Sequence, residues 1–423
     1  MSDFAQALKV GRPPNVQKLF PNSRALLVSG KYVDLAMLKK GGAMSIASNG
    51  RSNLIIRGAL RAAQKANSAL IVEIARSEGG ASSYCPVNYW NIARQVDALC
   101  NELGITVPVA IHADHYGIKK EGDIAFAEQE IPTLFEHGMT SIAIDASHMP
   151  DDLNLMTTLK LARLVPAWAS LETEVGEIKG KSGLSTAEEA LFLVKGLNAH
   201  DYFPTWIALN NGSSHGIEAS DAGIQVELTA SIHKALTPYR VSGAQHGTSG
   251  NSSERLREIA SGTRTTKANV ATALQMCSWG VEVNDYGNAQ LDGNGDFVKI
   301  KGEGLSEGLW DEMVAYAGKQ GWKSGDYKKL NLPFENKILG QPAAVRERMA
   351  GRVQDFVYNL LANVFNATDS ADLAIDLICT TGSHDAGPQA ERIEDPAEWT
   401  DAKIIERAKS IDSDKGEAGD FDD

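Results

Sequence analysis

The sequence predicts an α/β protein that folds as a (β/α)8 barrel with a C-terminal helical extension. Short apolar runs that end in small or polar residues recur eight times, and helical patterns lie between them. The starts of these runs are roughly 32 residues apart on average, close to the length of one βαβ unit. The chain has 423 residues and 43% hydrophobic content, which is enough for a large core.

The eight predicted strands share an apolar interior and a polar carboxyl end. In order they are "MSIASN" (44–49), "ALIVEIARS" (69–77), "VPVAIHAD" (107–114), "SIAIDAS" (141–147), "ASLETEV" (169–175), "WIALNNG" (206–212), "YRVSGAQ" (239–245) and "TTKANVAT" (265–272). The competing architecture is an open, doubly wound sheet of eight strands. No G-x-G-x-x-G sequence follows the first strand, which removes the usual nucleotide-binding version of that fold.

Helical patterns follow the first, fifth and seventh runs, namely "NLIIRGALRAAQKAN", "TAEEALFLVKGL" and "NSSERLREIASG". In the second of these, Thr186 and Glu189 have the spacing of a capping box. Gly262 supplies a stop for the third helix. These signals place helices where a barrel needs them.

We expect four segments along the chain. Residues 1–43 form an N-terminal segment, 44–285 the barrel and catalytic domain, 286–410 a helical extension, and 411–423 an acidic tail that is disordered. One apolar stripe in the extension has helical spacing and predicts packing against the barrel or a dimer partner. Its members are Val345, Met349, Val353, Phe356, Leu360 and Val364.

Composition excludes some classes of function. The net charge of −13 argues against nucleic-acid binding, although a small anionic substrate is compatible with it. No C-x-x-C pair exists, so we expect reduced thiols at Cys85, Cys100, Cys277 and Cys379. The sequence shows neither the apolar region of a signal peptide nor a membrane-length apolar stretch, which predicts a cytoplasmic protein with no membrane partner.

Polar residues cluster where the predicted strands end. The carboxyl ends of barrel strands share one face, so these side chains are expected to converge there on one site. They are Ser77, Asp114, His115, Asp145, Ser147, Glu172, Glu174, Asn210, Asn211, His215, His246, Asn269 and Thr272.

Three histidines from different strand ends suit one metal ion. Three imidazoles with an open fourth position are typical ligands of a catalytic zinc, and His115, His215 and His246 are the candidates. The alternative is that each is only a hydrogen-bonded polar residue. Their shared position on one barrel rim favours the metal site.

The fifth strand places Glu172 and Glu174 on one face, two residues apart. A pair of buried carboxylates requires a metal ion or a lysine nearby, and Asp145 could join them. The alternative is a structural ion pair with a residue such as Lys267.

Loops rich in Gly, Ser, Thr and Asn follow the sixth and seventh strands. Gly247 and Gly250 allow close approach of the backbone, and Ser249 precedes a helix, which suits phosphate binding. The alternative is that these loops are ordinary turns.

Five motifs resemble, in order and spacing, those of the class II (zinc-dependent) fructose-bisphosphate aldolases. They are "HADH", "LETEVG", "SSHG", "QHGTSG" and "KANVAT", and "RSEGGAS" (76–82) is similar to that family's S-N-G-G-A-S. The resemblance covers about residues 44–285. It implies reversible cleavage of a ketose (bis)phosphate, such as fructose 1,6-bisphosphate, to dihydroxyacetone phosphate and an aldehyde (glyceraldehyde 3-phosphate) through a zinc-stabilised enediolate.

The resemblance also implies roles for individual residues. Zinc would be bound by His115, His215 and His246, Asp114 would carry the proton, and Asp145 and Glu174 would match a secondary metal position. Substrate and phosphate contacts would come from Ser77, Gly216, Gly247, Ser249, Asn269 and Thr272. The family further implies a monovalent cation and a homodimer or higher homo-oligomer, in which Arg348 would reach the other subunit's phosphate.

"IHADHYG" (111–117) raises a geometric question, because neighbours along a regular strand face opposite sides. For Asp114 and His115 both to reach the site, the strand must turn at its end. His112 shares the side of Asp114. It either supports Asp114 or is a buried, hydrogen-bonded histidine.

Two departures from the family pattern concern the substrate. Ala271 stands where the family has an aspartate that contacts substrate hydroxyls. The segment "GEIKGKSGLST" lacks the family's G-G-E-E-D run, and Glu177 is its nearest carboxylate. Three alternatives therefore stay open: an aldolase for another ketose phosphate such as a tagatose type, a metal-dependent hydrolase, and a non-catalytic metal-binding barrel.

Overall fold

A computed structural model describes residues 4–81, 83–176, 183–212, 223–285 and 287–411. Eight parallel strands close into one barrel in chain order, and the last pairs with the first. They are β1 (Ser45–Asn49), β2 (Leu70–Ala75), β3 (Val109–Gly117), β4 (Ser141–Asp145), β5 (Ser170–Val175), β6 (Trp206–Leu209), β7 (Ser242–Gln245) and β8 (Thr265–Val270). The predicted (β/α)8 class and all eight predicted strands are confirmed.

Helices precede the barrel and alternate with its strands. They are α1 (Phe4–Val10), α2 (Pro14–Leu19), α3 (Gly30–Lys40), α4 (Asn53–Ala66), α5 (Arg76–Gly79), α6 (Ile92–Leu103), α7 (Glu121–Glu136), α8 (Asp151–Ala162), α9 (Ala187–Ala199), α10 (Val226–Ala235), α11 (Ser253–Gly262) and α12 (Thr272–Trp279). The predicted capping box is confirmed at α9, where the Glu189 N–H donates to Thr186 Oγ1 at 3.2 Å and the Thr186 N–H donates to Glu189 Oε2 at 2.8 Å.

Helix α3 packs against the amino ends of the barrel strands. Gly30 lies so close to them that a Cβ there would come within 2.3 Å of Ser170 Oγ and 2.8 Å of the Trp206 ring. The buried Asp34 accepts a hydrogen bond from Thr266 Oγ1 at 2.6 Å. This end of the barrel is therefore filled by packing and hydrogen bonding, and the chemistry lies at the opposite, carboxyl end.

The residues after the barrel form further helices: α13 (Glu307–Lys319), α14 (Asn331–Leu339), α15 (Ala343–Asn359), α16 (Ser370–Thr381) and α17 (Asp401–Ala408). Helix α15 packs on α4 and α12, and it buries the predicted stripe at Met349 and Val353. The stripe thus contacts the helices of its own barrel. The predicted disordered tail spans residues 411–423. Ile411 is described and buried, and residues 412–423 lie outside the described residues.

All four cysteines are free thiols in the structure, as predicted. Cys85, Cys100 and Cys277 are buried, and burial raises the pKa of the Cys100 thiol. Within the described ranges, no helix is both long enough and apolar enough to cross a bilayer.

The contact between α4 and α15 gives a stability prediction. A Cβ at Gly58 would come within 2.6 Å of Ala350 O and Val353 Cβ. We expect Gly58→Ala to lower the free energy of unfolding by about 1–3 kcal/mol, because the two helices must separate. Thermal or urea unfolding measures the change.

Gly351, on α15, is the matched control, because a Cβ there would meet nothing within 4 Å. Gly351→Ala should raise the free energy of unfolding by about 0.5–1 kcal/mol through helix propensity alone. Similar shifts of the two variants would contradict the close packing of α4 on α15.

Candidate metal centre and active site

The end of β3 brings two adjacent polar residues into one site. Ala113 pairs with Ile142 and Tyr116 with Ile144, so two residues of β3 stand opposite one residue of β4. This is a β-bulge, and within it His115 has a left-handed backbone conformation with φ of 40°. The predicted turn at the strand end is therefore confirmed.

His115 and His246 lie side by side at this end of the barrel. Their ring centroids are 4.2 Å apart. Glu174 Oε2 lies 3.6 Å from Nδ1 of each ring, and Asp145 Oδ2 lies 3.7 Å from His115 Nδ1. Ser147 donates to Asp145 Oδ1 at 2.5 Å, which leaves Oδ2 directed at the histidine. Two predicted metal-binding histidines and both predicted acidic partners thus converge.

The orientation of the His246 ring is set by Glu172, which is not one of the four residues that converge here. The ring's Nε2 is hydrogen-bonded to Glu172 Oε1 at 2.9 Å, so Nδ1 is the nitrogen that faces Glu174. A histidine held by a carboxylate through one nitrogen is the usual arrangement when the other nitrogen binds a metal.

The electrostatics of this group fit a bound cation. Among the described residues, His246 Nδ1 and Glu174 Oε2 are buried and have no hydrogen-bond partner. Burial and the neighbouring Asp145 raise the pKa of Glu174 to about 7. Although burial alone would lower it, the pKa of His246 is raised to about 10 by Glu174 and Glu172. Imidazole and carboxylate ligands suit zinc. Two sets of side chains have ligand atoms close enough together to hold a metal ion, namely Asp114 with His115 and His246, and His115 with Asp145 and Glu174.

A second group of acids surrounds Lys267, which lies on β8 and is fully buried. Its Nζ lies 2.8 Å from Glu172, 3.2 Å from Asp114 and 3.3 Å from Glu73. Glu73, His112 and Asp114 have metal-ligand spacing, but the lysine ammonium already supplies a cation beside them. Glu172 therefore forms the ion pair with Lys267 that the sequence predicts as the alternative to a metal site. Glu174 instead faces the two histidines.

Asp114 lies between the two groups. Lys267 Nζ donates to its Oδ1 at 3.2 Å, and Asn269 Nδ2 donates to both carboxylate oxygens at 3.0 and 3.1 Å. Its Oδ2 lies 3.9 Å from His115 Nε2. Burial would raise the pKa of Asp114, but Lys267 and His115 outweigh burial and hold that pKa well below its usual range. The carboxylate is ionised and held in a single orientation.

His112 has the features of both roles predicted for it, since it is a buried, hydrogen-bonded histidine and it also lies beside Asp114. The ring is fully buried, and Nδ1 is hydrogen-bonded to Ser141 Oγ at 2.5 Å. Its Nε2 lies 3.5 Å from oxygens of both Asp114 and Glu172. Burial and Lys267 lower the pKa of His112, so the ring is neutral and packs against Asp114.

The predicted phosphate loop follows β7. Gly247 and Gly250 have φ of 59° and 92°, which favour glycine. Ser249 lies between them, and Ser252 caps α11 by accepting from the Arg255 N–H at 3.1 Å. The loop therefore leads directly into a helix N-terminus.

The remaining predicted contacts are more dispersed. Ser77 is exposed on α5, and Thr272, which begins α12, accepts from Arg51 Nη1 at 3.4 Å. Arg348 donates to the carbonyl oxygen of Gly304 at 3.0 and 3.2 Å, so its role toward a second subunit stays a prediction. His215, Gly216 and Glu177 lie outside the described residues.

Sequence reasoning missed a buried ion pair beside this site. Arg51, which follows β1, donates through Nε to Glu78 at 2.6 Å and through Nη1 to Gln275 at 3.1 Å. Glu78 also accepts from the side chain of Asn49. Sequence reasoning also missed Glu73, whose carboxyl group lies 3.3 Å from Lys267 Nζ. A single charge inside the apolar strand "LIVEIA" is the signal that could have identified Glu73.

Comparison with known proteins agrees with this geometry. The profile of the family "Fructose-bisphosphate aldolase class-II" matches residues 35–307. A fructose-bisphosphate aldolase from Staphylococcus aureus is 30% identical over 134 residues, which are 31% of this chain and 42% of the relative. One from Mycoplasma pneumoniae is 29% identical over 239 residues, which are 56% of this chain and 76% of the relative. The match thus spans less than half the length of the Staphylococcus relative.

Solved structures share the fold. The YdjI aldolase from Escherichia coli K12 has a TM-score of 0.53 and 17% identity, covering 81% of this chain and 98% of that one. Fructose-bisphosphate aldolase from Campylobacter jejuni has a TM-score of 0.53 and 19% identity, covering 82% and 97%. Because the family profile matches most of the chain, including every strand of the barrel, this chain belongs to the class-II fructose-bisphosphate aldolase family.

Proposed function

We propose that this chain is a metal-dependent aldolase. It would cleave and form a ketose (bis)phosphate such as fructose 1,6-bisphosphate, with dihydroxyacetone phosphate and an aldehyde such as glyceraldehyde 3-phosphate as products. The observation that carries the proposal is the position of Asp114. It is an ionised carboxylate, oriented by Lys267 and Asn269, and its Oδ2 lies 3.9 Å from Nε2 of His115, one of the histidines proposed to hold the metal ion.

Aldol cleavage needs a group that removes the proton of the C4 hydroxyl as the carbon–carbon bond breaks, and that returns it in the synthetic direction. Asp114 is buried at the carboxyl end of the barrel, and its lowered pKa means that the side chain is ionised and has no proton of its own. The hydrogen bonds from Asn269 fix the direction in which the carboxylate points. Asp114 is therefore our candidate catalytic residue.

His115 and His246 would hold the metal ion, with His215 as a third ligand and Asp145 and Glu174 as acidic partners. The donor set favours Zn²⁺, and when bound such an ion supplies Lewis-acid polarisation of the substrate carbonyl. Glu172 holds His246 so that Nδ1 is presented to the ion.

Phosphate would bind at the loop after β7. Gly247 and Ser249 precede α11, whose N-terminal N–H groups favour an anion. Further contacts would come from Ser77, Gly216, Asn269 and Thr272. A monovalent cation in this region, a cytoplasmic homodimer, and Arg348 reaching a neighbouring phosphate complete the proposal.

The direct test is to assay cleavage of a panel of ketose mono- and bisphosphates with and without a chelator. The panel includes tagatose isomers, because Ala271 replaces the family's aspartate that contacts substrate hydroxyls. We expect triose phosphate release from at least one bisphosphate, abolished by the chelator and restored by Zn²⁺. Activity that survives metal removal, or none on any ketose phosphate, would overturn the proposal.

Asp114→Asn tests the proton carrier. The amide keeps the size of the side chain but cannot accept the proton, so we expect kcat to fall by about 10²–10⁴-fold with metal content unchanged. Asp311→Asn, on the exposed surface of α13, is the matched control. A parallel loss of metal in Asp114→Asn would instead make Asp114 a ligand.

Metal binding should also stabilise the fold. At a free Zn²⁺ concentration about 100 times its Kd, the stability gained is about 2.7 kcal/mol, which thermal unfolding detects as a higher Tm. We expect His246→Ala to lose this increase and His137→Ala to keep it, because His137 follows the C-terminal end of α7 and its ring is hydrogen-bonded to Thr133 O there. An equal increase in both variants would place the ion elsewhere.

A further inference from the structure

We infer that Lys267 is a positioning residue that orients both Asp114 and His246 from beneath the site. The inference rests on the proposed function, because it assigns a task to the residue that holds the candidate proton carrier. Lys267 is fully buried, and its ammonium lies within 3.3 Å of the carboxyl groups of Glu73, Asp114 and Glu172.

The first arm of this arrangement is direct. Lys267 Nζ donates to Asp114 Oδ1 at 3.2 Å, and Asn269, two residues further along β8, donates to the same carboxylate. Residues two apart on a strand share a face. One strand therefore presents two donors that fix the Asp114 carboxylate in place.

The second arm passes through Glu172. Lys267 Nζ donates to Glu172 Oε2 at 2.8 Å, and the other oxygen, Oε1, is bonded to His246 Nε2 at 2.9 Å. Glu172, held in place by Lys267, therefore fixes both the tautomer and the ring orientation of His246, which determines where Nδ1 points.

Glu73 provides the control for a change beside Lys267 that leaves both arms intact. Its carboxylate lies 3.3 Å from Lys267, but Lys267 donates no hydrogen bond to it. Burial and Asp114 raise the pKa of Glu73 well above its usual range, so this side chain is neutral. Glu73→Gln is therefore a conservative change beside the same ammonium that leaves both arms intact.

The experiment compares Lys267→Met, Glu172→Gln and Glu73→Gln with the wild-type enzyme. Two quantities are measured: kcat and KM with saturating Zn²⁺, and the Kd for Zn²⁺ by chelator competition. We expect Lys267→Met to lower kcat by about 10²-fold with little change in KM. It should also weaken Zn²⁺ binding by about 10–100-fold.

Glu172→Gln should weaken Zn²⁺ binding by about 10–100-fold, because it breaks only the arm to His246. Its kcat at saturating Zn²⁺ should fall less than that of Lys267→Met, since the bond from Lys267 to Asp114 remains. Glu73→Gln should leave both quantities close to wild type. This split between kcat and metal affinity is not expected of residues that only stabilise the fold.

Removing a buried cation can prevent folding, so circular dichroism is recorded for each variant. If Lys267→Met does not fold, Glu172→Gln decides: unchanged Zn²⁺ affinity overturns the inference. Equal effects of Lys267→Met and Glu73→Gln would also overturn it, because any change beside the ammonium would then act as strongly as removing the ammonium itself. A wild-type enzyme that cleaves no ketose phosphate defeats the proposed function instead, while the Zn²⁺ affinities still test the link to His246.

Discussion

The buried ammonium of Lys267 allows a polar interior at the carboxyl end of this barrel. Ionised carboxylates taken out of water cost several kcal/mol each unless a cation and hydrogen bonds compensate. Lys267 lies within 3.3 Å of three carboxyl groups, and it donates to the two that are ionised, those of Asp114 and Glu172. Without that cation these strands would need apolar residues at the same positions, and the site would lose its acids.

Glu172 and Glu174 lie on one strand but have different partners. Both side chains face the barrel interior, but Glu172 is bound to Lys267, while Glu174 faces His115 and His246. The first has a depressed pKa and the second a raised one. The difference arises because a lysine already neutralises Glu172, whereas Glu174 and Asp145 share a space where a metal ion would supply the missing positive charge.

Much of this arrangement follows from sequence, because strand ends and side-chain alternation are local properties. The runs "VPVAIHAD" and "ASLETEV" predict where Asp114, His115, Glu172 and Glu174 lie, and even the turn at the end of β3 follows from two adjacent polar residues. Partners across the barrel are different, since they depend on strand register and on the reach of long side chains. The sequence suggests Lys267 as an ion-pair partner of the glutamates, but its contact with Asp114, and the pair of Arg51 with Glu78, emerge only from the structure.

The central claim is that a metal ion is held by the two histidines while Asp114 stays beside it, bound to the lysine. A crystal structure of the Zn²⁺-loaded protein, with data collected at the zinc absorption edge, tests this most directly. The account predicts an anomalous peak about 2.0–2.1 Å from His115 and from His246 Nδ1, with Glu172 still bonded to His246 Nε2. A peak coordinated by Asp114 in place of either histidine, or no peak at this site, would contradict it.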